Sequence, residues 1–336
     1  MRKLLARLNR FMAEQTGMAL MRTSGLYPWQ FGQRRGPLDP AALPPGAAEW
    51  LRPDNPVLAA LRARYAACDS AVTAPYKWPA DLLSPEDLLY FRGCNAYLWQ
   101  NVGRDQNALA AALCYYALKA GDREGLLDRL DEDLLFGAHA HEIDGRLVSR
   151  DLLDSAREIQ FLLRHAGLGG DLRTVLDIGA GYGRLAWRLE QALGDAVRVL
   201  ATDAYPASTF ISDYYLRTRG ARRTEVVPLD GIEARLAGEK IDIATNIHSF
   251  SECTPEAVAW WAGLLARHRV PLLLIVPNEH TDETGRCLFN DGRDFAPILA
   301  RFGYRLRLAE PRYPDPAVQR YGLDPVHLHL FALDAP

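Results

Sequence analysis

Between residues 175 and 186 the chain reads V-L-D-I-G-A-G-Y-G-R-L-A. Asp177 places a carboxylate just ahead of Gly179, Ala180, Gly181 and Gly183. Glycine reaches positive φ and carries no Cβ, so a ligand can lie against such a backbone. The amides that open the following helix suit a carboxylate or phosphate. A second apolar run, V-R-V-L-A-T-D, ends at Asp203, with Ala204 next. A carboxylate there accepts two hydrogen bonds from ribose hydroxyls, in NAD enzymes as in other nucleoside binders. A third run ends at Asp230, with Gly231 following, and Asp230 can also cap the next helix. A fourth, I-D-I-A-T-N-I-H-S-F-S-E-C, ends in Asn246, His248, Ser249, Ser251 and Glu252. A fifth runs into V-P-N-E-H, with Asn278 and His280. Histidine titrates near neutrality, so His248 and His280 are the proton-handling candidates, with Glu252 to orient base or substrate.

The elements that position these residues alternate. Strands are expected at 173–178, 197–202, 224–229, 241–247, 271–276, 304–310 and 326–333. Helices are expected at 183–194, 206–218, 231–237, 255–267 and 291–302. Such alternation makes a mostly parallel sheet with helices on both faces. Ligands of open sheets lie across the carboxyl ends of the strands, where the singled-out residues fall. No helix is expected between the last two strands, so the final strand should be antiparallel, at the end of the sheet. Asp242, at the opposite end of the fourth strand, reads as structural.

An acidic residue followed by G-x-G-x-G resembles the first motif of class I S-adenosylmethionine-dependent methyltransferases. The G-x-G-Y-G-R-L run, the Asn246, Ser249 and Glu252 spacing, and D-A-Y-P followed by Y-Y-L are similar to a family described as putative sugar O-methyltransferases. The resemblance covers about residues 145–335. It implies a Rossmann-like α/β fold with a seven-stranded, mostly parallel sheet and an antiparallel last strand. It implies S-adenosylmethionine as cofactor. Asp177 and the glycine loop would hold the methionine end, Asp203 and Ala204 the ribose, Asp230 and Gly231 the adenine, with Asn246 also on the cofactor. Ser249, Glu252 and Asn278 would face the acceptor. The adenine N-methyltransferase signature is missing. Oxygen methylation needs a base, with His248 first and His280 second. The rivals are a non-sugar small-metabolite acceptor, a cofactor-binding partner protein without turnover, and an NAD-dependent oxidoreductase.

Residues 1–145 are expected to form a mainly helical region for acceptor binding or a lid, and 146–336 the cofactor domain. Residues 1–22 read as a basic amphipathic helix, either docking on a membrane or partner or packing on its own fold or a second subunit. Residues 23–56, rich in Pro and Gly, read as a loop. Helices are expected at 57–67, 85–101, 104–120 and 123–134, with Ser84 starting the second. Tyr90, Phe91, Tyr97, Trp99, Tyr115 and Tyr116 are core residues or acceptor-facing rings. Ser149 should cap a helix over 148–165, whose Arg157 and Glu158 either reach the ligand or pair on the helix face. His139, His141 and Glu142 have no further ligand spacing, so no metal is expected.

The 336 residues have a net charge of -3, with 49% hydrophobic and 24% charged. This is a globular composition, without the basic excess of a nucleic-acid binder. Five cysteines with no close pairs point to reduced thiols and a cytoplasmic protein. No apolar run reaches the ~20 residues that span a bilayer. The expected partner is a small-molecule or glycan acceptor, with a homo-oligomer contact through the N-terminal region.

Overall fold

The computed structural model describes residues 11–12, 15–16, 39–73, 78–79, 82–98, 100, 106–278, 286–323 and 326–334. The expected helix over 1–22 therefore lies almost wholly outside the described residues, as do Trp99 and His280. Two strands, β1 (Ala140–Ile143) and β2 (Arg146–Ser149), form a hairpin. The others are β3 (Thr174–Ile178), β4 (Arg198–Thr202), β5 (Thr224–Val226), β6 (Ile243–His248), β7 (Leu272–Pro277), β8 (Tyr304–Pro311) and β9 (His327–Leu333). They make one sheet in the order β5-β4-β3-β6-β7-β9-β8. Neighbours from β5 through β7 are parallel, and β9 is antiparallel to both β7 and β8. This is the Rossmann-like α/β fold expected, with one correction. The antiparallel last strand sits inside the sheet, and β8 takes the edge.

Helices of six or more residues are α1 (Pro56–Tyr65), α2 (Gln106–Gly121), α3 (Arg150–Phe161), α4 (Arg184–Leu193), α5 (Pro206–Thr218), α6 (Ile232–Ala237), α7 (Pro255–Arg267), α8 (Ala296–Arg301) and α9 (Pro316–Tyr321). Their starts are chemical. Asn55, Ser149, Thr254 and Asp315 each accept a backbone N–H of the first turn, and proline follows three of the four. The Asp315–Pro316 start creates α9 between the last two strands, where no helix was expected.

The N-terminal region departs most from expectation. Among the described residues of the run 85–101, an α-helix covers Pro85–Leu89 and a single 3-10 turn covers Phe91–Gly93. The stretch 123–134 keeps one turn, Leu126–Arg129. Within the expected loop, Ala47 and Leu51 are buried, and Trp50 stacks on Phe210 and Tyr214 at 6.3 and 6.4 Å. The β1–β2 hairpin turns on Asp144-Gly145, both at positive φ, which is the two-residue turn chemistry of tight hairpins. The expected boundary at 145/146 falls at the end of that turn, where β2 begins. One hydrophobic core runs across it, from Leu58, Phe91 and Phe136 through Ile159 to Leu176 and Leu274.

Helix α3 lies inside this core: every residue from Asp151 to Phe161 is buried, including Asp151, Asp154, Arg157 and Glu158. Buried charges need partners. Asp151 accepts from Arg188 Nε at 2.9 Å and Tyr182 Oη at 2.7 Å, and pairs with Arg92. Asp154 takes Arg150 and Arg312 at 3.1 and 2.9 Å. Glu158 takes Arg184 in a forked pair at 2.8 and 3.1 Å. Arg157 donates to the Arg312 carbonyl and lies over the Tyr313 ring. Arg157 and Glu158 therefore pair within the protein and do not line the cleft.

Candidate active site

The chain order reverses between β3 and β6, and there the loop after β3 meets the turn after β6. A crevice at such a reversal is the usual ligand position in an open sheet. The glycine loop is built for close approach. A Cβ on Gly179 (φ +68°) would collide with Ser249 Oγ, and one on Gly181 would stand 3.0 Å from the Tyr97 ring. The side chain of Asn246 fixes the other wall. Its amide donates to the Ile178 carbonyl at 2.9 Å and to Ser249 Oγ at 2.6 Å, and its oxygen accepts from Phe250 N–H at 2.9 Å.

Over these strand ends opens a cavity of about 1540 Å³. Asp177, Gly179, Ala180, Gly181, Asp203, Ala204, His248, Ser249, Glu252 and Asn278 all line it. Asp177 accepts from Thr245 Oγ1 at 2.7 Å, and burial pushes its pKa up to about 7 against that hydroxyl's pull. Asp203 accepts from Tyr205 N–H at 2.7 Å and Gly181 N–H at 2.9 Å. Its carboxyl is likewise raised to about 7, burial outweighing both amides. Each carboxylate oxygen has two lone pairs, so both retain acceptor capacity toward the cavity.

Four expected positions do not line this cavity. Asp230 makes a forked pair with Arg64 of α1, at 2.8 Å for each bond, and neither it nor Gly231 lines the cavity. Asn246 is 1% exposed, its amide spent on the backbone staple, and it is not part of the cavity wall. Gly183 packs against Ser212 and Leu216 as the start of α4, away from the cavity. The loop amides are also largely committed: those of Gly179 and Ala180 donate to the Thr202 carbonyl and that of Gly181 to Asp203.

On the β6 side, His248 sits at φ +69° and ends the strand. Its Nδ1 lies 3.3 Å from the Pro277 carbonyl, which favours the Nδ1–H tautomer and leaves the lone pair on Nε2. Glu252 accepts from Asn278 Nδ2 and from Trp78 Nε1, both at 2.6 Å. Trp78 packs between Tyr97 and Tyr205, ring centroids 5.3 and 5.2 Å apart. Tyr65 joins the N-terminal region to the site, bonding Thr209 and taking Leu229 N–H, each at 2.8 Å.

Sequence reasoning missed Trp78, Tyr65 and Thr245. Trp78 stands in K-W-P without periodicity, and only tertiary contact brings it to Glu252. Of the six aromatic residues singled out, Tyr97 lines the cavity, Tyr90, Phe91 and Tyr115 are buried in the protein, and Tyr116 is exposed. Asp242 caps the sheet's far end, accepting Arg173 and Thr174 N–H at 2.9 and 3.0 Å. Among the described residues no three His, Cys, Asp or Glu side chains converge to hold a metal ion. None of the described helices is long and apolar enough to cross a membrane.

No protein-family profile and no curated protein matches the chain. Solved structures do align with it. A SAM-dependent methyltransferase from Aquifex aeolicus is 15% identical, covering 54% of this chain and 98% of that one, with a TM-score of 0.36. Magnesium protoporphyrin IX methyltransferase from Synechocystis PCC 6803, with bound SAM, is 13% identical over 69% and 99% of the two chains, with a TM-score of 0.38. The [4+2]-cyclase SpnF is 15% identical over 66% and 94%, with a TM-score of 0.40. At these identities and TM-scores no chemistry carries over from those proteins to this chain.

Proposed function

We propose that the chain is an S-adenosylmethionine-dependent O-methyltransferase acting on a hydroxyl of a sugar-bearing small molecule. The observation that supports this most is the pairing of Asp203 with Gly181. One carboxylate holds the glycine loop of β3 and stays open to the cavity, as ribose recognition beside a glycine cradle requires. Asp177, beside the same cradle, offers a carboxylate to an amino group. The cavity volume accommodates a nucleoside cofactor and an acceptor together.

When bound, the cofactor supplies an electrophilic methyl group on a sulfonium. The protein's part is positioning and proton removal. Trp78, Tyr97 and Tyr205 give flat faces on which a sugar ring stacks, and Asn278 and Glu252 give hydrogen bonds to its hydroxyls. His248 takes the acceptor proton at Nε2. That nitrogen is shielded from water here, so acceptor entry must uncover it. Substitution by Asn tolerates the positive φ at this position. His248→Asn is expected to lower kcat by ~10²–10⁴ while cofactor affinity holds.

Calorimetric titration of S-adenosylhomocysteine, and separately NAD, into the purified protein and Asp203→Asn tests the reading. Expected is saturable homocysteine-conjugate binding, weakened about tenfold or more in the variant through loss of charge-assisted bonds. Binding of NAD alone would return the glycine loop to the oxidoreductases.

A further inference from the structure

The cavity's about 1540 Å³ exceeds the roughly 300–1,000 Å³ of common small-molecule pockets, so part of it lies beyond the cofactor's needs. One stretch of its wall comes from α2 and α9, which pack together and differ in character from the strand ends. Leu109 and Leu113 on α2 face this space with Tyr321 at the end of α9 and Leu323 beyond it. Leu109 and Tyr321 are 71% and 64% exposed, a poor use of large apolar side chains unless something covers them. The wall is fixed in place. Leu323 N–H donates to Cys114 Sγ of α2 at 3.1 Å, and a Cβ on Gly322 would stand 2.8 Å from that sulfur.

The same space carries positive charge. Arg150 opens α3, and Arg320 lies on α9; both line the cavity. Arg320 makes no ion pair among the described residues and lies over the Tyr321 ring at 5.4 Å. Arg150 and Arg312 pair with Asp154, and Arg184 with Glu158. An uncovered apolar wall beside arginines suits an apolar body bearing an anion.

We propose that this vestibule binds the remainder of the acceptor: an apolar, preferably aromatic, moiety carrying a carboxylate, sulfate or phosphate. The hydroxyl to be methylated reaches the strand ends while this body rests on Leu109, Leu113, Tyr321 and Leu323 with its anion toward Arg150 and Arg320. The assignment rests on the methyltransferase reading and narrows its acceptor to an apolar anionic conjugate.

The test uses the full chain saturated with S-adenosylhomocysteine. Anilinonaphthalene sulfonate is the anionic probe and phenylnaphthylamine its uncharged counterpart. Expected is one sulfonate probe per chain, bound about tenfold more tightly than the neutral one. Arg320→Ala should remove that preference, and Tyr321→Ser should weaken both probes about tenfold. Both residues are exposed, so melting temperature and homocysteine-conjugate affinity should match wild type. The proposal is overturned by absence of probe binding or by equal binding in the variants. It is also overturned if Tyr321→Ser changes the sedimentation mass and leaves probe binding intact, which would make the patch a contact between copies. Failure of wild type to bind the homocysteine conjugate sinks the methyltransferase reading by itself, whatever the probes do.

Discussion

Asp177 and Asp203 hold protons close to neutrality because burial raises both to about 7. On the proposed reading, a cationic sulfonium cofactor beside these groups favours their ionised forms, so binding and deprotonation are linked. Affinity for S-adenosylmethionine is expected to rise between about pH 6 and pH 8, by no more than tenfold per unit for each proton released. Calorimetry in two buffers of different ionisation enthalpy reads that release directly; a pH-independent affinity would contradict it. The sign reverses for the empty protein. A folded-state pKa raised from 3.8 to about 7 makes these two groups favour the fold at low pH, an advantage lost as pH rises through 7. The residues on which this depends were legible from the chain alone, since strand-end carboxylates beside a glycine loop are local patterns. Asp230 has the same local pattern after β5, but Arg64, distant in sequence, pairs with it, which no local pattern displays.

Elements, in turn, are held by contacts that no local pattern displays. Gly179 is glycine because Ser249 occupies the space of its Cβ, as much as because φ is +68°. Gly179→Ala is expected to cost roughly 2–4 kcal/mol, from strain and overpacking together. Adding Ser249→Gly should recover the overpacking share in urea denaturation, leaving the strain. The strands were readable because apolar runs bounded by acids and glycines mark buried strands. The run 85–101 was not, because Arg92 within it is 1% exposed and paired with Glu132, Asp133 and Asp151. In β9, His329 is 1% exposed and neither ring nitrogen has a hydrogen-bond partner among the described residues. Burial lowers its pKa to about 4. Its neutral form adds no pH dependence above pH 6.5, and stability drains away as pH falls from there toward 4, by roughly 3 kcal/mol in all. His329→Leu is expected to remove that slope from stability measured against pH.

At the scale of the molecule, α3 acts as a charged axle between the N-terminal region and the sheet. Its Asp151 reaches Arg92 on one side and Tyr182 and Arg188 on the other. Neither side can leave without stranding a buried charge, so the two regions are expected to unfold in one calorimetric transition. Asp151→Asn should lower stability by about 3–5 kcal/mol without splitting that transition. Two separate transitions would show that the regions are independent. The place of β9 has a further consequence, on the ribosome. Of the seven sheet strands it is synthesised last, yet it belongs between β7 and β8. Until it emerges, those two earlier strands each present an edge that matches no finished neighbour, and Leu272–Pro277 is among the most apolar segments of the chain. Between the emergence of β8 and that of β9, the nascent protein thus carries a sticky slot of its own making that only β9 can fill.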